Sequence, residues 1–263
     1  MGWLIENRPE AFEGAALLLN EGGSGYRSKD GITFSIEVTQ KIPVWLRLNS
    51  VDRPGHGSSP RTTSSVSRIV EALNIIWNSP FDPRIIPEVE RVFADRSESL
   101  DEPFKSKYKN IKSSIQDPVF MKELQEVSPS SHALTRNTCS LTRMNGSIKI
   151  NVVPPTAWAE IDCRILPDNK PEEFIAKIKD LIKHTEVEVE PLMIGFPGSS
   201  PIDSELYLTI ERFIKSNYPG SKLSPTVSTG FTDSRFSRGI GIASYGFNTC
   251  LLYTSPSPRD ATL

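Results

Sequence analysis

Asp52-Arg53-Pro54-Gly55-His56-Gly57-Ser58-Ser59-Pro60 is the stretch of this sequence best placed to do chemistry. Proline and glycine make a turn there, and the turn carries an imidazole. Of the three histidines in the chain, His56 is the one set among turn-formers that could hold it in place to meet a substrate. Taken alone, the segment equally describes a turn histidine whose hydrogen bonds are satisfied locally. His132 sits in Ser-Pro-Ser-Ser-His, a polar loop, and is expected to be solvated. His184 follows Lys183 at the end of a helix, where a cation suits the dipole without any function.

Two further segments carry chemical residue types. Glu21 follows the apolar run Ala15 to Leu19 and precedes Gly22-Gly23, so a carboxylate is presented at a strand end, or else is a solvated acid in a turn. Strand ends are where α/β enzymes place functional side chains. The second segment, Ser228-Thr229-Gly230-Phe231-Thr232-Asp233-Ser234-Arg235-Phe236-Ser237-Arg238, combines hydroxyls, an acid and two arginines. Its arginines could hold a carboxylate bidentately or form a salt-bridged surface loop.

The elements that must position these residues follow from periodicity. Ile32 to Val38 and Val44 to Asn49 alternate as strands, and Val66, Ile69, Val70, Leu73, Ile76 and Trp77 mark the apolar face of a helix. Residues 80–136 are charged and punctuated by proline, with helical pieces around Pro87–Phe93 and Pro118–Leu124. Strands follow at Thr138–Met144 and Ala157–Leu166. In the latter, Arg164 shares a face with Trp158, Glu160 and Asp162, away from the apolar side, and Cys163 reads as a small buried hydrophobe. A helix opened by Pro171-Glu172-Glu173 and a strand over Glu186–Glu190 complete a strand-helix-strand-strand-helix-strand order, which is the ferredoxin-like pattern. Asp203 is the expected N-cap of a last helix, and Ile240–Gly246 a final strand.

Composition bounds the function. The chain has 263 residues, 37% hydrophobic and 24% charged, with 30 basic and 32 acidic side chains. That describes a globular protein and gives no field for nucleic acid. No apolar run approaches the roughly 20 residues that span a bilayer. Three scattered cysteines argue against a disulfide scaffold. With no basic-then-apolar leader, the expectation is a cytoplasmic protein.

In their order these pieces are more specific than any one alone. N-E-G-G, W-L-R-L, R-P-G-H-G-S-x-P, N-V-V-P-P, D-x-R-I-L-P-D and G-F-T-D-S-R together resemble the dizinc metallopeptidases of the aminoacylase, carboxypeptidase-S and succinyl-diaminopimelate desuccinylase type, over roughly Trp3 to Thr249. The resemblance implies a mixed α/β fold: a catalytic domain, partial here at 1–42 and 196–249, with an inserted ferredoxin-like lid at 43–195 that also forms a homodimer. Residues 80–136 are then an insertion in the lid. It implies that Glu21 binds one zinc and that His56 reaches the partner subunit's active site to polarise the scissile carbonyl. Asn151, Arg164, Thr232 and Arg235 are substrate contacts by the same reasoning, Arg164 to its carboxylate. The implied substrate is a small peptide or N-acyl amino acid.

The same family also needs a His-x-Asp pair and a Glu-Glu pair before Glu21, where 20 residues stand, and a last zinc-binding histidine after Tyr245. No histidine follows His184. From Cys250 on, the sequence reads as a non-native tail (250–263). The expectation is an inactive fragment of a zinc-dependent amide hydrolase, the alternative a non-catalytic dimerisation or binding module.

Overall fold

A computed structural model describes residues 1–28 and 31–250. The tail expected at 250–263 lies, beyond Cys250, outside the described residues. In chain order the elements are α1 (Gly2–Asn7), β1 (Leu17–Asn20), β2 (Ser24–Ser28), β3 (Gly31–Gln40), β4 (Ile42–Val51), β5 (Gly55–His56) and α2 (Ser65–Trp77). Short helices follow: α3 (Pro87–Ser97), α4 (Phe104–Lys109), α5 (Ile111–Ser114), α6 (Pro118–Val127) and α7 (Pro129–Leu134). Then come β6 (Thr138–Asn145), β7 (Val152–Val153), β8 (Thr156–Ile165), α8 (Pro171–Leu181) and β9 (Glu188–Ile194). The last elements are α9 (Glu205–Asn217), β10 (Lys222–Ser228), α10 (Ser234–Gly239) and β11 (Ala243–Gly246).

The chain separates into two units. One, Ile42–Asp82 with Asn137–Gly195, is the expected ferredoxin-like fold: an antiparallel sheet in the order β6-β8-β4-β9 with α2 and α8 packed on it. Val44, Leu46 and Leu48 face the helices in register with Cys163, Ile161 and Ala159, and all six are fully buried or nearly so. Ser64 starts α2 by accepting a hydrogen bond from the Ser67 amide, while Ser67 caps back. The buried stripe of α2 is Ile69, Ala72, Leu73 and Ile76; Val70 and Trp77, expected on that face, are exposed. Each stands about 100° around the helix from a stripe residue one position before it.

Cys163 is not a lone buried thiol. It faces Cys139 across β8 and β6, and the two form a disulfide. An odd cysteine total did not exclude one bridge, because Cys250 is the cysteine left over.

The other unit contains Met1–Lys41, Pro83–Arg136 and the chain from Phe196 on. Its sheet runs β1-β11-β3-β10, with β2 paired to β3. Phe34, Ile36 and Val38 of β3 pack on Tyr207, Ile210 and Ile214 of α9. The N-cap of α9 is Ser204, whose hydroxyl accepts from the Tyr207 amide, and not Asp203. Residues 83–136, read from sequence as an insertion in the lid, form helices that group with this unit. Prolines open α3, α6 and α7, as fixed φ and a missing N–H favour. The buried Lys41 ammonium donates to the Ala133 and Arg136 carbonyls at 2.7 and 2.8 Å, anchoring the end of α7.

His132 is a correction to the sequence reading. It lies on α7 and is 9% exposed. Burial, aided by the Arg136 and Lys41 charges, pushes its pKa from 6.5 down to about 4. The unfolded chain therefore binds the extra proton first. Stability should be fully present above about pH 6.5 and fall by on the order of 3 kcal/mol as pH drops to about 4. Urea unfolding of His132→Gln between pH 4 and 7 checks this: the variant should lose that part of the slope, and an unchanged slope would contradict it.

Candidate functional site

The histidine turn is a small hairpin. β5 pairs with β7 through Gly55↔Val153 and His56↔Val152, and the Gly57 amide donates to the Asn151 carbonyl at 2.9 Å. His56 and Asn151 are thus neighbours, both exposed. The Ser58 amide donates to His56 Nδ1 at 3.2 Å, and the Ser58 hydroxyl lies 2.8 Å from the same atom. A backbone amide can only donate, so Nδ1 holds the lone pair. In the neutral ring the proton is then on Nε2, which is a donor. Asp52 anchors the turn: its amide donates to Pro155, and its carboxylate faces Arg68 of α2 at 3.7 Å. The Arg53 amide, and secondarily Arg68 and Arg61, hold that carboxyl below its usual range.

Arg164 lies on the open face of the same sheet, where Asp162 takes its Nε and Nη2 at 2.6 and 2.9 Å. It pairs with Pro43 at one end of β8, whereas Thr156 pairs with Val51 at the other. They stand eight positions apart along β8, or about 26 Å at the rise of an extended strand. The His56 hairpin leaves from the Val51 end. Between the two ends, Glu160 accepts from Arg47 Nε at 3.1 Å and from Arg143 Nη1 at 2.7 Å. Both guanidiniums lie over Trp158. The Arg47 hydrogen bond, more than any other cause, holds the Glu160 carboxyl below its usual range.

In the other unit, Glu21 is exposed just past the end of β1. Gly22 and Gly23 follow at φ +127° and +65°. A Cβ on Gly23 would stand 2.4 Å from the Ser35 carbonyl, so this turn accepts only glycine. On the same row of the sheet, Glu37 faces Gly246. Glu37 is buried and receives Arg238 Nη1 at 3.0 Å, while Arg238 also donates to Ser200 and to the Ser244 carbonyl. Burial pushes the Glu37 carboxyl up against the pull of Arg238, and the Glu21 charge adds to that rise.

Thr232 is fixed by Gln40, whose Oε1 accepts from its amide at 2.9 Å. Arg235 is stacked between Phe231 and Phe236, 4.3 and 4.5 Å from the ring centres. Asn20 donates to Ser234 at 3.1 Å and so ties the Glu21 strand end to the start of α10. Thus Glu21, Thr232 and Arg235 share one unit, and His56, Asn151 and Arg164 the other.

Sequence reasoning missed Glu37 and Arg238 as a pair. Alternation placed Glu37 on the polar side of its strand, and nothing in the pattern showed that side to be covered. Of the two loop arginines, Arg238 does hold a carboxylate, but one from its own chain.

Among the described residues no group of three or more His, Cys, Asp or Glu side chains could hold a metal ion. Glu21 supplies one carboxylate, and Glu37 beside it is committed to Arg238. Zinc needs about four ligands, so the residues present do not by themselves fit it.

Residues 38–190 match the family described as the peptidase dimerisation domain, M20_dimer. The chain is 29% identical over 225 residues to the N-fatty-acyl-amino acid synthase/hydrolase PM20D1 of Xenopus tropicalis, covering 82% of this chain and 42% of that protein. It is 25% identical to a probable carboxypeptidase S-like 2 of Dictyostelium discoideum, over 76% of this chain and 38% of that one. It therefore spans less than half the length of these relatives. Its fold resembles that of the M20 family metallo-carboxypeptidase Sso-CP2 from Sulfolobus solfataricus, with a TM-score of 0.60 at 16% identity over 96% of this chain and 60% of that one.

Proposed function

The chain belongs to the M20 peptidase dimerisation-domain family, a family of hydrolases, and from that premise we propose that it contributes substrate-binding parts to an enzyme cleaving the amide bond of N-acyl amino acids or small peptides. The observation that carries the proposal is the separation of polar groups on one lid. His56 and Asn151 sit together on a hairpin at one end of the sheet, with a donor at His56 Nε2. Arg164 is at the other end. A small substrate cannot span about 26 Å, so both ends serve one substrate only if they come from different copies. In a homodimer, His56 and Asn151 of one copy would donate to the carbonyl oxygen as it gains charge. Arg164 of the other copy would receive the substrate carboxylate in place of, or beside, Asp162. Thr232 and Arg235 are read as lining the same substrate from the catalytic side, and Glu21 as one metal ligand.

Zinc dependence is part of this reading, for an enzyme whose remaining ligands come from outside these 263 residues. Among the described residues no helix is long and apolar enough to cross a membrane. The Cys139–Cys163 bridge favours an oxidising compartment over the cytoplasm expected from the sequence.

One consequence is that the 263-residue polypeptide alone does not hydrolyse amides. Incubated with zinc and a panel of N-acyl amino acids and dipeptides, the purified chain should release no amine beyond the metal-free control. Zinc-dependent turnover by this chain would sink the assignment of the missing ligands to other sequence.

A further inference from the structure

We propose that a cavity in the unit containing α3 and α7 binds a small oxyanion. The cavity has a volume of about 470 Å³ and no Asp or Glu in its lining. Its floor is Ser35 of β3 with Ser224 and Thr226 of β10, and its wall is Arg96, Tyr108 and Ser131 from the 83–136 helices.

Four lining residues, Arg96, Tyr108, Ser131 and Thr226, keep donor hydrogens that no described residue accepts. Arg96 gives one hydrogen bond from its side chain, Nη1 to Ser131 Oγ at 3.0 Å, and has no carboxylate partner among the described residues. Ser131, 2% exposed, also receives the Ser128 hydroxyl at 2.9 Å. Its oxygen accepts twice while its own proton has no acceptor among the described residues. The Tyr108 hydroxyl, on a residue 5% exposed, and the Thr226 hydroxyl likewise donate to no described residue. Four lining serines do have acceptors: Ser35 donates to the Ser24 carbonyl, Ser99 to the Arg96 carbonyl, Ser128 to Ser131, and Ser224 to Asp95 just outside the lining. None of these donor atoms is shut off from solvent, so water reaches them in the open cavity, and a ligand that only accepts can take that water's place.

Phosphate, sulfate and carboxylate share that chemistry, and a guanidinium flanked by hydroxyls suits each. Val92 and Leu100 add an apolar edge. None of the residues assigned to amide hydrolysis lines the cavity, so this site stands or falls independently of that function.

The test is thermal unfolding of the purified 263-residue chain against inorganic phosphate and, separately, acetate, with sodium chloride matched for ionic strength. Specific binding raises the midpoint along a saturable curve, with phosphate or acetate giving the larger rise according to whether the site prefers a tetrahedral or a planar anion. Arg96→Gln should weaken the apparent affinity at least tenfold and Tyr108→Phe a few-fold. Arg96→Lys, which keeps the charge, should lie between Arg96→Gln and the parent. Arg91→Gln, on the same helix but outside this cavity, should change nothing. A rise reproduced by chloride, or one that persists in Arg96→Gln, would mean an adventitious ion only and overturn the proposal.

Discussion

Replacing His56 by alanine in the full-length protein, which we propose to be a dimeric hydrolase, is expected to lower kcat about 10²- to 10³-fold, with a much smaller change in KM. The size follows from the role: a donor aimed at an oxygen that becomes negative in the transition state contributes little before that charge develops. The direction of the proton is set by the turn. The Ser58 amide donates to Nδ1, which leaves Nε2–H in the neutral ring as the donor that the proposed role requires. Ser58→Ala keeps that amide and should cost far less than the loss of the ring. His56→Ala should leave the unfolding midpoint nearly unchanged, because the side chain is exposed and bonds only within its own turn. Steady-state kinetics beside a thermal melt checks both halves. A loss of stability matching the loss of rate would return His56 to a structural role.

The second large effect is on folding. Arg238→Met should destabilise the chain by about 3–5 kcal/mol, because it leaves the Glu37 carboxylate buried without its cation. Arg238 also satisfies Ser200 and the Ser244 carbonyl, so the change opens several acceptors together. Glu37→Leu combined with Arg238→Met should recover part of the loss, since no charge then remains in the core. The pH dependence has a definite sign. Burial already raises the Glu37 carboxyl above the usual range, and removing Arg238 raises it further. The folded variant then binds a proton that the unfolded chain has released, so its stability should increase as pH falls toward the ordinary carboxylate range. Urea unfolding at pH 5 and 8 would show this; a variant no less stable than the parent would contradict the pair's role.

The ferredoxin-like unit was the legible part. Val44, Leu46 and Leu48 alternate because one sheet face meets helices and the other does not, and that contrast is written directly into residue type. The turn at His56 was legible because proline and glycine dictate backbone shape locally. Where the decisive partner came from distant sequence, pattern was silent. Cys139 and Cys163 meet only through the register of β6 on β8. His132 is buried on a helix that three polar residues disguised as a loop, with the Lys41 charge nearby. Glu37 looked solvent-facing until Arg238 covered it. The helices of 83–136 read as a lid insertion because sequence order interrupts the lid there, yet they group with the other unit.

Among the site residues, position was more legible than pairing. Motif order singled out His56, Asn151 and Arg164, but not that the first two share a hairpin while the third stands at the far end of the sheet. That division leads to the most direct test of the central claim. Full-length His56→Ala and Arg164→Ala proteins, each nearly inactive alone, are mixed in equal amounts and allowed to exchange subunits. If one copy lends His56 to a site holding the other's Arg164, each mixed dimer has one intact site, and activity should return to about one quarter of the parent's, given random exchange. If both residues serve the same site from one copy, every site in the mixture stays damaged, and the absence of any recovery despite demonstrated exchange would contradict the account.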